Sequence, residues 1–449
     1  MKYLIIGILL LPIFFWAFQH KKWYLYLTFA LYGILPDACA FEISTSLPLI
    51  TVSRILIVIL MIAVLSKKGR GISLSLPKTI VVYIISNIII SCVNLSYGIK
   101  EVNWIFILIF EQFLLVVLVY NLIDTGAEFY KCLDFMIAGC IVLAVIGVLQ
   151  SIFDYDVATV LNWVTPRGVV KIENRMGMIR AYATFNALSY GCYCSFMSLL
   201  IWHRYEISKK HIYIVAFLIN FLALLFTMSR SSLLSFGIII SVLILHKKKK
   251  FVMPFFRYIP LCLIGIIFIL LIYPSILHAL SETIKSIFNT LGLNFELSSE
   301  FGSNAFNGSY SRMRQWSVII PMLMEGAFLF GYGYNGFENG LAHYYNFKLN
   351  QWHVAKELDV GFVAFLISSG LIGLISYIWL LIYIFITALK KERNHKSKSF
   401  YNITLYVIPM LFFLEFTSSF SVRHLEWLYF SLFFVYFKKI DRSSEYEFS

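Results

Sequence analysis

Residues 211–250 read HIYIVAFLINFLALLFTMSRSSLLSFGIIISVLILHKKKK. Two apolar runs, 211–228 and 231–246, each approach the roughly 20 residues that a helix needs to cross the hydrocarbon of a bilayer. Only Ser229 and Arg230 stand between them, so the runs must fold as a tight helical hairpin, and the second arm ends in four consecutive lysines. Backbone buried in lipid has to satisfy its own hydrogen bonds, which a helix does within the segment. The stretch therefore reads as two adjacent membrane spans.

The rest of the chain repeats the pattern. With 60% hydrophobic and 14% charged residues and a mean hydropathy of +0.80, the chain is unlike a soluble domain. About thirteen apolar stretches can be placed, near 3–18, 22–38, 49–65, 79–97, 104–122, 134–153, 181–202, 211–228, 231–246, 258–276, 359–388, 401–419 and 426–438. The first is kept as a helix because no small-residue cleavage pattern follows it and more spans come at once. The expected fold is all-α: a polytopic integral membrane helical bundle of about thirteen transmembrane helices, with 1–449 as a single membrane domain.

Lysine and arginine set the orientation, because short loops rich in them stay cytoplasmic. The breaks at Lys21 and Lys22, at Lys67, Lys68 and Arg70, at 203–210, at 247–250, at 390–398 and at 438–442 all fall on one side when the spans alternate. The N-terminus is then outside and the C-terminus inside. The net charge of +13 follows from this asymmetry and from anionic headgroups, so no nucleic acid partner is implied. The seven cysteines lie almost all within or at the ends of apolar runs, which suggests neither a disulfide framework nor a metal site. Reporter fusions at Lys248 and Lys396 should report cytoplasm, and fusions at Asn304 and Lys171 the outer side. An outer signal at Lys396 would overturn the reading of about thirteen spans.

Two long segments remain outside, 154–180 and 277–357, and function is expected there. From Phe301 to Trp352 the larger one carries thirteen Phe, Tyr or Trp residues, with Arg312, Arg314, His343 and His353 among them. A disordered tether would be poor in aromatics, so this segment should fold and cap the bundle. No inverted repeat of the transporter kind is visible. Nucleotide-binding, zinc-protease and serine-hydrolase motifs are absent. The cluster of Gly331, Tyr332, Gly333, Tyr334, Asn335 and Gly336 reads as a turn.

The basic residues at the outer boundary stand apart. Arg180 opens the seventh span, Arg230 sits in the hairpin of residues 227–232, and Arg312 and Arg314 lie in the large segment. A guanidinium near hydrocarbon costs up to about 2.5–3.5 kcal/mol and usually has an anionic partner. Its fork suits phosphate oxygens. Each arginine alone could simply reach up to headgroups, or pair with Asp154, Asp156 or Glu173. Retaining several against the positive-inside tendency favours a site. Glu111, midway along the fifth span, is either a buried structural partner or a relay. Arg54, Glu415, Arg423 and His424 read as packing residues nearer the outer edge.

Four short pieces, in this order and placement, resemble the Wzy-type polymerases of O-antigen or exopolysaccharide, which belong with the O-antigen ligases. They are Arg180-Ala181 with Thr184-Phe185-Asn186; Ser229-Arg230-Ser231; Arg314 and Trp316 leading to Phe330-Gly331-Tyr332-Gly333; and Asp359-Val360-Gly361-Phe362 leading to Gly370-Leu371-Ile372-Gly373. The family also places a glycine after an arginine and ten residues. Arg180 to Gly191 keeps that spacing, while Arg314 to Gly326 has eleven residues between.

The resemblance implies a multi-pass enzyme of the bacterial cytoplasmic (inner) membrane, a membrane-embedded glycosyltransferase. It would move an undecaprenyl diphosphate-linked glycan from one carrier onto the sugar of another, with no cofactor and no metal. Membrane lipids, a chain-length regulator and a flippase of the same pathway would be its other partners. The expected catalytic residues are Arg180, Arg230 and Arg314 on the diphosphate, with His353 as base and Asp359 as its alternative or orienting group. Arg312, Trp316 and Tyr334 would bind substrate, the two rings by stacking on sugar. Two other classes stay open. One is a ligase transferring finished glycan to a lipid A core or a protein. The other is a flippase or transporter without bond chemistry, against which the 81 residues of 277–357 argue.

Overall fold

The computed structural model describes residues 21–34, 40–41, 50–65, 73, 76–98, 100–153, 164–165, 168–169, 174–175, 178–183, 187–247, 278, 281–285, 289, 295–296, 315–334, 340–346, 351–354, 360–393, 399–417 and 423–441. The spans expected near 3–18 and 258–276 lie outside them, as do the four fusion points.

Most of the described chain is helical. In order the helices are α1 (Lys21–Ile34), α2 (Val52–Leu65), α3 (Lys78–Val93), α4 (Lys100–Ile107), α5 (Leu115–Leu122), α6 (Gly126–Ile152), α7 (Ala187–Ser208), α8 (Ile212–Phe226), α9 (Arg230–Lys247), α10 (Ile319–Met324), α11 (Gly361–Glu392), α12 (Phe400–Thr417) and α13 (Arg423–Val435). A π-helical stretch, Leu108–Leu114, joins α4 to α5 in one rod. Among the described residues five helices are long and apolar enough to cross a membrane: Lys78–Tyr97, Glu101–Leu122, Gly126–Ile152, Gly361–Glu392 and Phe400–Thr417. The chain departs from a purely helical fold at short antiparallel ladders in its connections. They pair β1 (Ala40–Phe41) with β2 (Ile50–Thr51), β3 (Val164–Thr165) with β4 (Gly168–Val169), β5 (Asn174–Arg175) with β6 (Met178–Ile179) and, longest of these, β7 (His343–Asn346) with β8 (Gln351–Val354), His343 lying opposite Val354.

Both faces of these helices are apolar, which suits helices packed on one side and facing lipid on the other. In α3, Ile80, Tyr83, Ile84 and Ile90 are buried, whereas Val82, Ile85, Ile89 and Val93 are exposed. Packing unites α1 with α6, α7 with α8, α11 with both α3 and α12, and α13 with α5.

Ion pairs gather at one end of the bundle. Lys22 at the start of α1 pairs with Glu128 in the first turn of α6. Arg204 grips Asp134 through two N–H groups, at 2.5 and 2.9 Å. Lys391 meets Asp441 at 2.9 Å, and Lys439 caps α5 by donating to the Ile123 carbonyl at 2.8 Å. All of these residues belong to segments that the lysine and arginine pattern assigns to the inner side.

Glu111 has a structural partner. Its carboxylate accepts from the Arg54 guanidinium, with the two side chains 3% and 11% exposed. A buried pair of this kind costs several kcal/mol when one partner alone is removed, because it strands the other charge.

At the opposite end, α11 is broken. Gly370 has φ +63° and ψ −170° inside the helix, which strips Leu371 and Ile372 of their intrahelical acceptors. Chain from the large segment supplies the replacements: Leu371 N–H donates to the Phe328 carbonyl at 2.9 Å and Ile372 N–H to Leu329 at 3.2 Å. Tyr332 N–H in turn donates to the Ile367 carbonyl at 2.8 Å. Non-helical backbone is tolerated at membrane depth where protein covers it in this way. The stretch read near 359–388 is thus one membrane-length helix, Gly361–Glu392, kinked at Gly370, where a glycine with positive φ lets a loop dock against it.

Candidate functional site

Arg180 precedes its helix instead of opening it. The seventh helix begins at Ala187, and residues 180–183 form a buried arm ahead of it, because their backbone donors are committed elsewhere. Ala181 N–H donates to the Phe226 carbonyl at 3.0 Å. Tyr182 and Ala183 N–H both donate to Gln150 Oε1, at 3.3 and 2.9 Å. Ala183 has φ +47°, which a helix does not accommodate.

The arm lies on the α8–α9 hairpin. Arg180, 4% exposed, donates from Nε to the Thr227 carbonyl at 2.7 Å. That carbonyl stands three residues before Arg230, the first residue of α9, so two of the three expected diphosphate arginines share one turn. A hydrogen bond from a charged donor contributes about 1.5–3 kcal/mol. The turn is itself held by hydroxyls: Ser229 Oγ lies 2.9 Å from Ser232 Oγ, and Thr227 Oγ1 donates to the Leu224 carbonyl at 2.7 Å. Met228 adopts φ +50° to complete the reversal.

Gly191 accounts for part of the arginine-to-glycine spacing. A Cβ there would stand 2.7 Å from Ser232 Oγ and 3.0 Å from Ser229 Cβ, so its absence lets the serine turn press onto α7. Ser195 Oγ then lies 3.0 Å from both the Gly191 and the Ser232 carbonyls. Two sequence pieces that resemble the family separately are thus one packed unit. The N-terminus of α9 belongs to it, and its N–H groups and dipole favour an anion.

The other expected residues are placed differently. Arg312, Arg314 and Asp359 lie outside the described residues. Their described neighbours Gln315 and Val360 are joined, Val360 N–H donating to Gln315 Oε1 at 3.2 Å. Trp316 is half-buried and packs on Phe416 of α12 at 5.8 Å between ring centroids. Tyr334 stacks on Trp104 of α4, with centroids 5.1 Å apart and planes within 3°. One face of that ring is therefore occupied by protein. His353 lies in the β7–β8 hairpin, its ring 6.1 Å from that of Tyr344 and its Nε2 3.3 Å from Gln351 Nε2. Both of these partners belong to the same hairpin. Through Tyr345 N–H, which donates to Ser317 Oγ at 2.7 Å, the hairpin is tied to the turn that carries Trp316.

Gln150 and Trp104 were not singled out from the sequence; a glutamine ending an apolar run and a tryptophan starting one carry no spacing signal. Of the glycine-rich cluster, residues 331–334 are described, and Gly331 and Gly333 both have positive φ and take part in packing. Gly333, with φ +74°, brings a notional Cβ within 2.4 Å of the Glu101 carboxylate, and Asn94 Nδ2 donates to the Phe330 carbonyl at 2.9 Å. Tyr332 donates to Glu325 Oε2 at 2.6 Å. Burial first, and then that carboxylate, push its phenol pKa above the ordinary value. Among the described residues no cluster of His, Cys, Asp or Glu could hold a metal ion.

A membrane-embedded helical bundle with two arginines and a helix N-terminus on one hydrogen-bonded turn is the class defined by these observations. Residues 215–378 match the family described as O-antigen ligase. Over those residues the chain is similar to that family, in keeping with the superfamily its motifs resemble, and its long apolar helices make it an integral membrane protein. No curated protein and no solved structure matches it.

Proposed function

We propose that the chain is a polysaccharide polymerase of the cytoplasmic membrane. It joins undecaprenyl diphosphate-linked oligosaccharide units at the outer face. The observation that carries this reading is the bond from Arg180 to the carbonyl of Thr227, beside Arg230. It brings the Arg180 guanidinium to the turn that leads into Arg230, the first residue of α9, and a diphosphate would be recognised by arginines at such a helix start.

In the reaction an acceptor sugar hydroxyl gives up its proton, its oxygen bonds to the anomeric carbon of the donor, and the bond from that carbon to the diphosphate breaks. Negative charge grows on the departing diphosphate, and preorganised arginines stabilise it. Arg180 and Arg230 serve there with Arg314. His353 takes the proton, or Asp359 does so or orients it. Arg312 contacts the same anion, and Trp316 and Tyr334 face sugar rings.

The family description favours a second reading, a ligase delivering finished glycan to a lipid A core or a protein. Glycans of cells lacking the gene separate the two. Loss of a polymerase leaves single repeat units on the final acceptor; loss of a ligase leaves long chains on the lipid carrier and an empty acceptor. An unchanged glycan profile in those cells would refute both.

A further inference from the structure

The arm that carries Arg180 is buried: Ile179, Arg180, Ala181, Tyr182 and Ala183 are 7%, 4%, 0%, 1% and 1% exposed. Past Ile179 it belongs to no helix or strand, so its N–H groups need acceptors from outside a ladder. Ala181 finds one in the hairpin. Tyr182 and Ala183 find theirs in one atom, Oε1 of Gln150, from the last turn of α6. Two N–H donors can be met only by the oxygen end of that amide. Consecutive N–H groups converge on one acceptor in turns of this kind, where a residue such as Ala183 sits in the left-handed region.

A glutamine 1% exposed is an expensive way to fill space. Its Nε2 meets no acceptor among the described residues, and half an amide left unmet in the interior is a cost that methionine at the same place would avoid. The compensation lies in what the oxygen does. It fixes the two residues that directly follow Ala181, while Thr227 fixes the guanidinium itself. The arm is held from both sides, by α6 and by the α8–α9 hairpin.

Resting on the reading of Arg180 as a diphosphate ligand, we infer that Gln150 is a positioning residue for Arg180, holding its arm through a single side-chain oxygen. Gln150→Met in the full-length protein, in lipid nanodiscs, removes the acceptor at nearly constant volume. Amide exchange at Tyr182 and Ala183 should rise on the order of tenfold, with Ala181 unchanged. Binding of a polyprenyl diphosphate should weaken by a similar factor. Gln150→Glu, which keeps an acceptor oxygen, should restore the exchange protection. Because Gln150 acts through Arg180, combining Gln150→Met with Arg180→Lys should weaken binding no further than Arg180→Lys alone.

Unchanged exchange in Gln150→Met, or binding losses that multiply in the double variant, would overturn the inference. Should Gln150→Met fail to insert, Gln150→Asn carries the same expectation, since its shorter side chain cannot span to both N–H groups. If the unsubstituted protein binds no polyprenyl diphosphate while the exchange responds as expected, the functional reading falls and the hold on the arm stands.

Discussion

Replacing Arg180, Arg230 or Arg314 by lysine is expected to abolish most polymer formation, by about tenfold or more per residue, since one charge-assisted hydrogen bond contributes about 1.5–3 kcal/mol. Lysine keeps the charge and loses the fork. For Arg180 the structure sharpens this expectation. A guanidinium can hold the Thr227 carbonyl through Nε and still present N–H groups to another acceptor in a fixed plane. An ammonium has one nitrogen at the end of a flexible stem, so it cannot keep that anchor and offer a planar pair. Arg230 begins α9, where a cation and the positive end of the helix dipole repel each other. That placement is unfavourable for stability alone and is offset when an anion lies between them. The measurement is the chain-length ladder of surface glycan in cells carrying each variant, set beside the amount of protein in the membrane. Loss of the ladder at normal abundance supports the site. A normal ladder from all three variants means the arginines only anchor headgroups.

How much of this was legible in the sequence follows from the range of the interactions. Membrane helices announce themselves through composition over about 20 consecutive residues, so α3, α6, α11 and α12 were found close to where they lie. The gathering of Lys22, Arg204, Lys391 and Lys439 at one end follows from charge placed between those runs. Pairings across the chain leave no such trace. Gln150 meets Tyr182 and Ala183, and Trp104 meets Tyr334, through contacts that hydropathy and spacing cannot report. Helix starts were displaced for a local reason. Helix α6 begins at Gly126 because Thr125 caps it, accepting from Glu128 N–H while the Glu128 carboxylate reaches back to Asp124 N–H. That reciprocal cap lies upstream of the apolar run that marked the span. For the candidate site, the sequence placed Arg180, Arg230 and Arg314 on one diphosphate and offered the serine turn and Gly191 as motif pieces. It could not show how Arg180 bonds to the turn before Arg230 or how closely that turn approaches Gly191, because these are contacts between distant segments.

The second large effect is expected at Gly370, where alanine should cost folded protein and not merely activity. The residue's φ of +63° with ψ −170° lies where side-chain-bearing residues are strained by about 1–3 kcal/mol. A Cβ would also stand 2.3 Å from the Leu329 carbonyl oxygen and 2.5 Å from Gly331 N. Those atoms are backbone, so no rotamer change relieves the clash and the loop must move away. Moving it breaks the bonds from Leu371 and Ile372 to Phe328 and Leu329, and from Tyr332 to Ile367. Each is worth about 1 kcal/mol net in an aqueous setting, and an unmet donor away from water costs about 1–3 kcal/mol. Gly331, with φ +73° and a notional Cβ 2.6 Å from Gly370 N, faces the same contact from the loop side and should behave alike. Gly237 provides the control, since nothing lies within 4 Å of a Cβ there and it sits inside α9. Alanine at that position should leave stability unchanged or raise it by up to about 1 kcal/mol. Thermal unfolding of detergent-extracted protein, followed by loss of the monodisperse species, reads the difference. A Gly370→Ala midpoint as high as that of Gly237→Ala would mean that the loop does not dock into the broken helix. The turn carrying Trp316 and the β7–β8 hairpin would then need another anchor to hold them over the bundle.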